Sequence, residues 1–164
     1  MTNPAGYALE KSVWTEADFE AMGWHDSFVH ALAFRPDTFE FLLDIDYILK
    51  WIEPGVDGYY SFWVAPATLV FWNVSDLHID LEPYTGIEIS ELKRELAGAP
   101  RNAAHIGKSE EWRWTVDSTA GEVTFRAVGY KQYIRRAPQL QKQQALSLSD
   151  RGGYSFDRPE QYAA

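Results

Sequence analysis

Cysteine is absent from all 164 residues, which rules out a disulfide-stapled scaffold and any thiolate zinc site. The chain also has no run of about 18 apolar residues, the length that a membrane-spanning helix requires. Its start, Met-Thr-Asn-Pro-Ala-Gly-Tyr, has neither the basic nor the apolar region of a secretory signal. The expectation is a soluble cytoplasmic protein with no membrane partner. There is no Gly-x-Gly-x-x-Gly or Walker loop for a nucleotide, no Gly-x-Ser-x-Gly elbow for acyl transfer, and no His-Glu-x-x-His or EF-hand loop for a metal. No cofactor is implied.

Basic residues are scarce as well. The formal net charge is −9, and residues 37–100 hold 12 acids against only Lys50, Lys93 and Arg94. An acidic block repels phosphate backbones and attracts basic partners or cations, so nucleic acid is disfavoured and a basic protein partner is expected. The short basic stretch Tyr130–Arg136 is read as a charged strand edge rather than a nucleic-acid surface.

What the chain does have is bulk. Hydrophobic residues make up 46% of it and aromatics 15%, with seven tryptophans, enough for one core of large flat side chains. A chain of this length buries roughly 70% of its unfolded surface as one domain. We place that domain at residues 13–137, with 1–12 as an N-terminal lead-in and 138–164 as a polar tail that is poorly ordered or packs as an arm.

Alternation sets the fold class. From Phe39 to Trp51, the residues Phe39, Phe41, Leu43, Ile45, Tyr47, Leu49 and Trp51 fall on one face at the two-residue period of a strand. Glu40, Asp44, Asp46 and Lys50 fall on the other. Leu77–Leu81 repeats the design with His78 and Asp80 outward, and Ala67–Val74 reads as a strand buried on both sides or placed centrally. Trp112, Trp114 and Val116 pair with Val123, Phe125 and Ala127 across a Ser-Thr-Ala-Gly turn, a clear hairpin. Beyond it the alternation changes phase, which predicts a bulge or bend at Gly129. Helices are expected at Trp14–Met22, with Thr15 as N-cap, Asp18 completing a capping box and Gly23 ending it, and at Ser90–Leu96. The fold class is mainly β: an antiparallel sheet or sandwich of six to eight strands with one or two short helices, an open β-barrel being the alternative.

Seven residues stand out as candidates for binding. Trp24, His25 and Asp26 sit between a helix stop and a strand start, a setting where functional side chains gather. Asp44, Asp46, His78 and Asp80 occupy the polar faces of their strands, and Asp44, Asp46 and Asp80 are expected to form an exposed acidic surface. No catalytic residue and no metal ligand is assigned. Imidazole with carboxylate is nevertheless a competent ligand set, so a small metal-dependent enzyme or ligand-binding domain using His25, Asp26, Asp44, Asp46 and His78 is the alternative reading.

The order Trp-x-Glu-x-Asp-Phe, Gly23-Trp24-His25-Asp26, Leu43-Asp44-Ile45-Asp46-Tyr47, Val64 to Phe71, Asn73 to Leu77 and the late Trp-Arg-Trp hairpin resembles a group of small bacterial single-domain proteins of unassigned activity. Some with an early Trp-His-Asp segment are similar to immunity proteins of polymorphic toxin systems. The resemblance spans residues 13–137 and carries over no catalytic residue. It implies a partner-binding protein and leaves the partner open; together with the acidic strand faces, the expectation is non-enzymatic binding through an acidic β-sheet surface, with toxin neutralisation as the sharpest form.

Overall fold

Alternation and β-branched or aromatic content turn about half of this chain into strands. The computed structural model describes residues 6–162. In chain order the elements are β1 (Val13–Thr15), a 3-10 helix (Glu16–Ala21), β2 (Phe28–Arg35), β3 (Glu40–Ile52), β4 (Ser61–Trp72), β5 (Ser75–Leu81), β6 (Ile87–Gly98), α1 (Ala103–Ile106), β7 (Glu111–Ser118), β8 (Gly121–Ala127), β9 (Gly129–Ile134), β10 (Gln139–Gln141) and α2 (Leu148–Arg151). Among the described residues, no helix is long and apolar enough to cross a membrane.

The strands pair antiparallel in the order β1-β9-β4-β3-β2-β6-β7-β8-β5, with β10 added to β4. β1 and β5 are the two end strands and do not pair with each other, so no barrel closes among the described residues. The sheet has two halves joined at a narrow seam, because β2 meets β6 only through Phe28↔Glu88 and Val29↔Ile87. The inner faces of the halves enclose an aromatic core. Phe71 and Phe41 from one half meet Phe125 from the other edge-on, at ring separations of 4.7 and 5.3 Å, and Trp114 packs on Phe71 at 5.1 Å. Edge-to-face pairs of this kind add about 0.5–1.5 kcal/mol beyond the area they bury.

The central strands β3 and β4 are buried on both faces. Phe41, Leu43, Ile45 and Tyr47 face the aromatic core. On the other side, Leu42 packs with Val70 and Tyr133, and Ile48 with Phe62 and Val64. That outer side is covered by the C-terminal segment, which contributes Leu146 and Phe156 to these two clusters. The polar tail therefore packs as an arm.

Three local expectations change. Ser90–Leu96 is part of β6 and not a helix: Leu92 is buried over the core, and Glu91–Leu96 pair in register with Asp117–Trp112. A helix of seven residues is marginal alone, so strand pairing overrides its propensity. The Thr15 capping box forms, but it opens a 3-10 helix that ends at an extended Met22 rather than at a left-handed Gly23. At Gly129 the chain steps from β8 in one half to β9 in the other, which is why the phase changes there. Two residues assigned to the core face also differ. Phe39 sits in a left-handed turn (φ 54°) and is exposed, and a register shift between Ile48 and Lys50 turns Trp51 out of the core.

Candidate functional site

Asp44 and Asp46, expected on an exposed acidic surface, are completely buried on the outer side of β3. The arm, Arg135 just after β9 and His30 of β2 supply what those carboxylates need. Asp44 Oδ1 accepts from Arg135 Nη2 at 2.7 Å and from Arg151 Nη2, while Asp44 Oδ2 accepts from Arg151 Nη1 at 2.9 Å and the Ser155 amide at 3.0 Å. Asp46 Oδ1 accepts from Arg151 Nε at 3.0 Å, and its Oδ2 from His30 Nε2 at 2.7 Å and the Leu146 amide at 2.8 Å. Arg135 Nη1 also donates to Thr68 Oγ1 at 3.0 Å, whose hydroxyl donates to the Asp157 carbonyl at 2.7 Å. Burial raises the Asp44 carboxyl, but the Arg151 and Ser155 hydrogen bonds and the Arg135 charge outweigh it and hold the group below its ordinary range. The cluster locks the arm onto the sheet. Its lone pairs are committed inside the protein, so it cannot also meet a partner.

Trp24, His25 and Asp26 separate into an anchor and an exposed pair. Trp24 is in the core, where its Nε1–H donates to Gln132 Oε1 at 2.8 Å. Asp26 adopts a left-handed backbone (φ 64°), which aspartate tolerates better than most residues, and its amide donates to the Ile89 carbonyl at 2.8 Å. His25 Nδ1 lies 2.9 Å from the Ser90 carbonyl, which only accepts, so Nδ1 carries the proton. That leaves Nε2 facing Asp26 Oδ1 at 3.4 Å, with the ring stacked over Trp51. Gln144 of the arm donates to Asp26 Oδ2 at 3.1 Å. Glu88 lies close by; burial first and the Asp26 carboxylate second push its carboxyl above its ordinary range. Among the described residues, no three His, Asp or Glu side chains converge in a geometry able to hold an ion.

His78 and Asp80 project from β5 on the outer face of the other sheet half. There the strand register produces an arrangement that alternation alone did not reveal. Glu91 stands opposite Asp117, Asp117 opposite Glu122, and Glu122 opposite Asp80, so β6, β7, β8 and β5 each contribute one carboxylate to a single rank. Gly121 permits the last contact: at its φ of 129°, a Cβ would fall 2.1 Å from the Asp80 carbonyl oxygen. Cation support is thin. Lys93 Nζ reaches Asp117 at 2.6 Å and Glu91 only at 4.0 Å, and the Asp117 hydrogen bond together with these neighbouring acids holds the Lys93 ammonium above its ordinary range. Farther along the same strands, Glu95 faces Arg113 and Arg113 faces Arg126, a rank of mixed charge.

The sequence thus pointed to Asp80 but missed Glu91, Asp117 and Glu122, because their proximity depends on strand order and register. It also missed Arg135 and Arg151 as partners of the buried aspartates. Comparison with family models, with curated proteins and with solved structures returns no match.

Proposed function

We propose that this protein is a non-enzymatic binder that holds a basic protein partner against the outer face of β6, β7, β8 and β5. The observation that carries this reading is the rank Glu91–Asp117–Glu122–Asp80. Like charges directly opposite on neighbouring strands oppose folding, by up to about 1 kcal/mol per pair, so such a rank serves something other than the fold. This rank, answered by one lysine, is complementary to a cluster of lysines and arginines on a partner. Steering by such a field raises association rates and decays over about 10 Å at 0.1 M salt. Neutralisation of a basic toxin domain is the sharpest form of the proposal, and it rests on the sequence resemblance alone.

The test is affinity capture from cells that express the protein, in low and in high salt, with the wild type beside the D80N/E91Q/D117N/E122Q variant. The proposal expects a basic protein retained by the wild type in low salt and lost in the variant. Equal retention of that protein by both overturns it.

A further inference from the structure

β6 is paired on one side only for most of its length. It matches β7 from Ile89 to Gly98, but on its other side β2 stops at Ile87 and Glu88. From Ser90 onward that second edge has no strand partner among the described residues. The 3-10 helix and the Gly23–His25 turn stand across from it and leave an open groove of about 370 Å³, lined in part by Phe19, Trp24, His25, Leu92 and Arg94. His25 takes the first free acceptor, the Ser90 carbonyl, and the edge beyond stays open.

Arg94 makes this groove more than a leftover gap. By register it lies opposite Trp114, on the core side of β6. Its guanidinium carbon is 4.2 Å from the Phe19 ring centre, 4.1 Å from Trp112 and 5.5 Å from Trp114, so aromatic faces fix its plane. Seven of the other eight arginines have a carboxylate within 4.0 Å, and Arg136 donates to the Asp150 carbonyl. Arg94 alone has neither among the described residues. A half-buried, plane-fixed guanidinium with unanswered donors, in a chain of net charge −9, is preorganised for a planar anion that the protein does not supply.

We propose that the groove receives an extended peptide segment as an added strand on β6, with a carboxylate of that segment held by Arg94. An added antiparallel strand sets the residue opposite Arg94 about 4.5–5.5 Å away, Cβ to Cβ, on the same face, within reach of an Asp or Glu side chain. The residue two places farther on meets Leu92 and is apolar. The residues between face outward, towards Lys93 and towards the carboxylates of Glu91 and Glu95, so basic side chains suit the positions opposite those acids. The recognised pattern is an acid two places before an apolar residue, with basic residues beside it. A second copy of this chain fits less well, because pairing β6 with itself brings two negative faces together. The inference is independent of the outer-face reading, since Arg94 points to the opposite side of β6.

The experiment selects binders to the full chain from a displayed library of random linear peptides, then measures the selected sequences as synthetic peptides with free and with amidated C-termini. The expected peptides share the acid-x-apolar spacing and protect the Ser90–Arg94 amides from hydrogen exchange. Their affinity falls by about tenfold or more when the acid becomes Asn or Gln, or when the protein carries R94Q. Loss on amidation alone assigns the carboxylate to the peptide terminus, and persistence assigns it to the side chain; either supports the site. Peptides indifferent to both the acid and R94Q overturn the proposal, as does protection of the β6 edge that rises with protein concentration alone. Exchanging the acid within the peptide keeps the test valid if R94Q fails to fold. Unchanged peptide binding in D80N/E91Q/D117N/E122Q separates this groove from the outer face.

Discussion

Two sets of carboxylates lie on alternating strand positions of the same sheet and have opposite fates. Asp44 and Asp46 on β3 are buried and saturated by two arginines, a histidine and backbone amides. Glu91, Asp117, Glu122 and Asp80 stand in an unshielded row with Lys93 as their near cation. The strand pattern is the same in both. What differs is the cover: the C-terminal arm closes over one face and leaves the other open. A carboxylate on a strand is therefore structural or available according to what a distant part of the chain does.

The sharpest way to break this comparison is to remove the cation that bridges both buried acids. Arg151→Met leaves Asp44 and Asp46 with an uncompensated charge and should cost about 3–5 kcal/mol in urea unfolding, the usual result of breaking one side of a buried pair. Trp114→Ala, inside the aromatic core at 0% exposure, should cost a similar 3–5 kcal/mol without releasing the arm. Limited proteolysis separates the two, since only the Arg151 variant should expose residues beyond Gln141 to early cleavage.

Acid should weaken the lock next. The folded Asp44 carboxyl is held below its ordinary range, so its contribution is fully present above the unfolded value near 3.9 and is lost as pH falls through the lower folded value. Urea midpoints measured downward from pH 5 should fall more steeply in the wild type than in Asp44→Asn. Equal slopes would show that the carboxyl is not so held.

How much of this was legible follows from particular residues. The strand pattern, the Trp112–Ala127 hairpin and the Thr15 capping box are local and could be read directly. The burial of Asp44 and Asp46 had a visible signal, since Leu42 and Ile48 share their face and two apolar residues there call for a cover. That the cover is a polar, Gln-rich segment carrying Arg151, 107 residues away from Asp44, is not encoded in any local period. The acid rank was illegible for another reason: Glu91 lay in a predicted helix, and it joins the Asp117–Glu122 pair of the hairpin only once β6 pairs with β7, as Asp80 joins it only once β5 pairs with β8. Arg94 was hidden by the same misassignment.

Smaller effects sharpen the comparison from the exposed side. Each of D80N and E122Q should leave stability within about 0.5 kcal/mol of wild type or raise it, because the change relieves like-charge contact. Glu88→Gln should act through pH. Burial and Asp26 raise the folded Glu88 carboxyl, so wild-type stability should decline as pH rises from the unfolded value near 4.3 through the folded one, and the variant should lack that decline. A stability profile across that range identical in both proteins would contradict the assignment.

The most direct test of the division into lock and open face is the urea unfolding free energy of two matched double variants, D44N/D46N and D80N/E122Q. Each removes two negative charges from strands of one sheet. The account predicts a loss of several kcal/mol in the first and no loss, or a slight gain, in the second. Equal losses in the two, or a larger loss in D80N/E122Q, would contradict it.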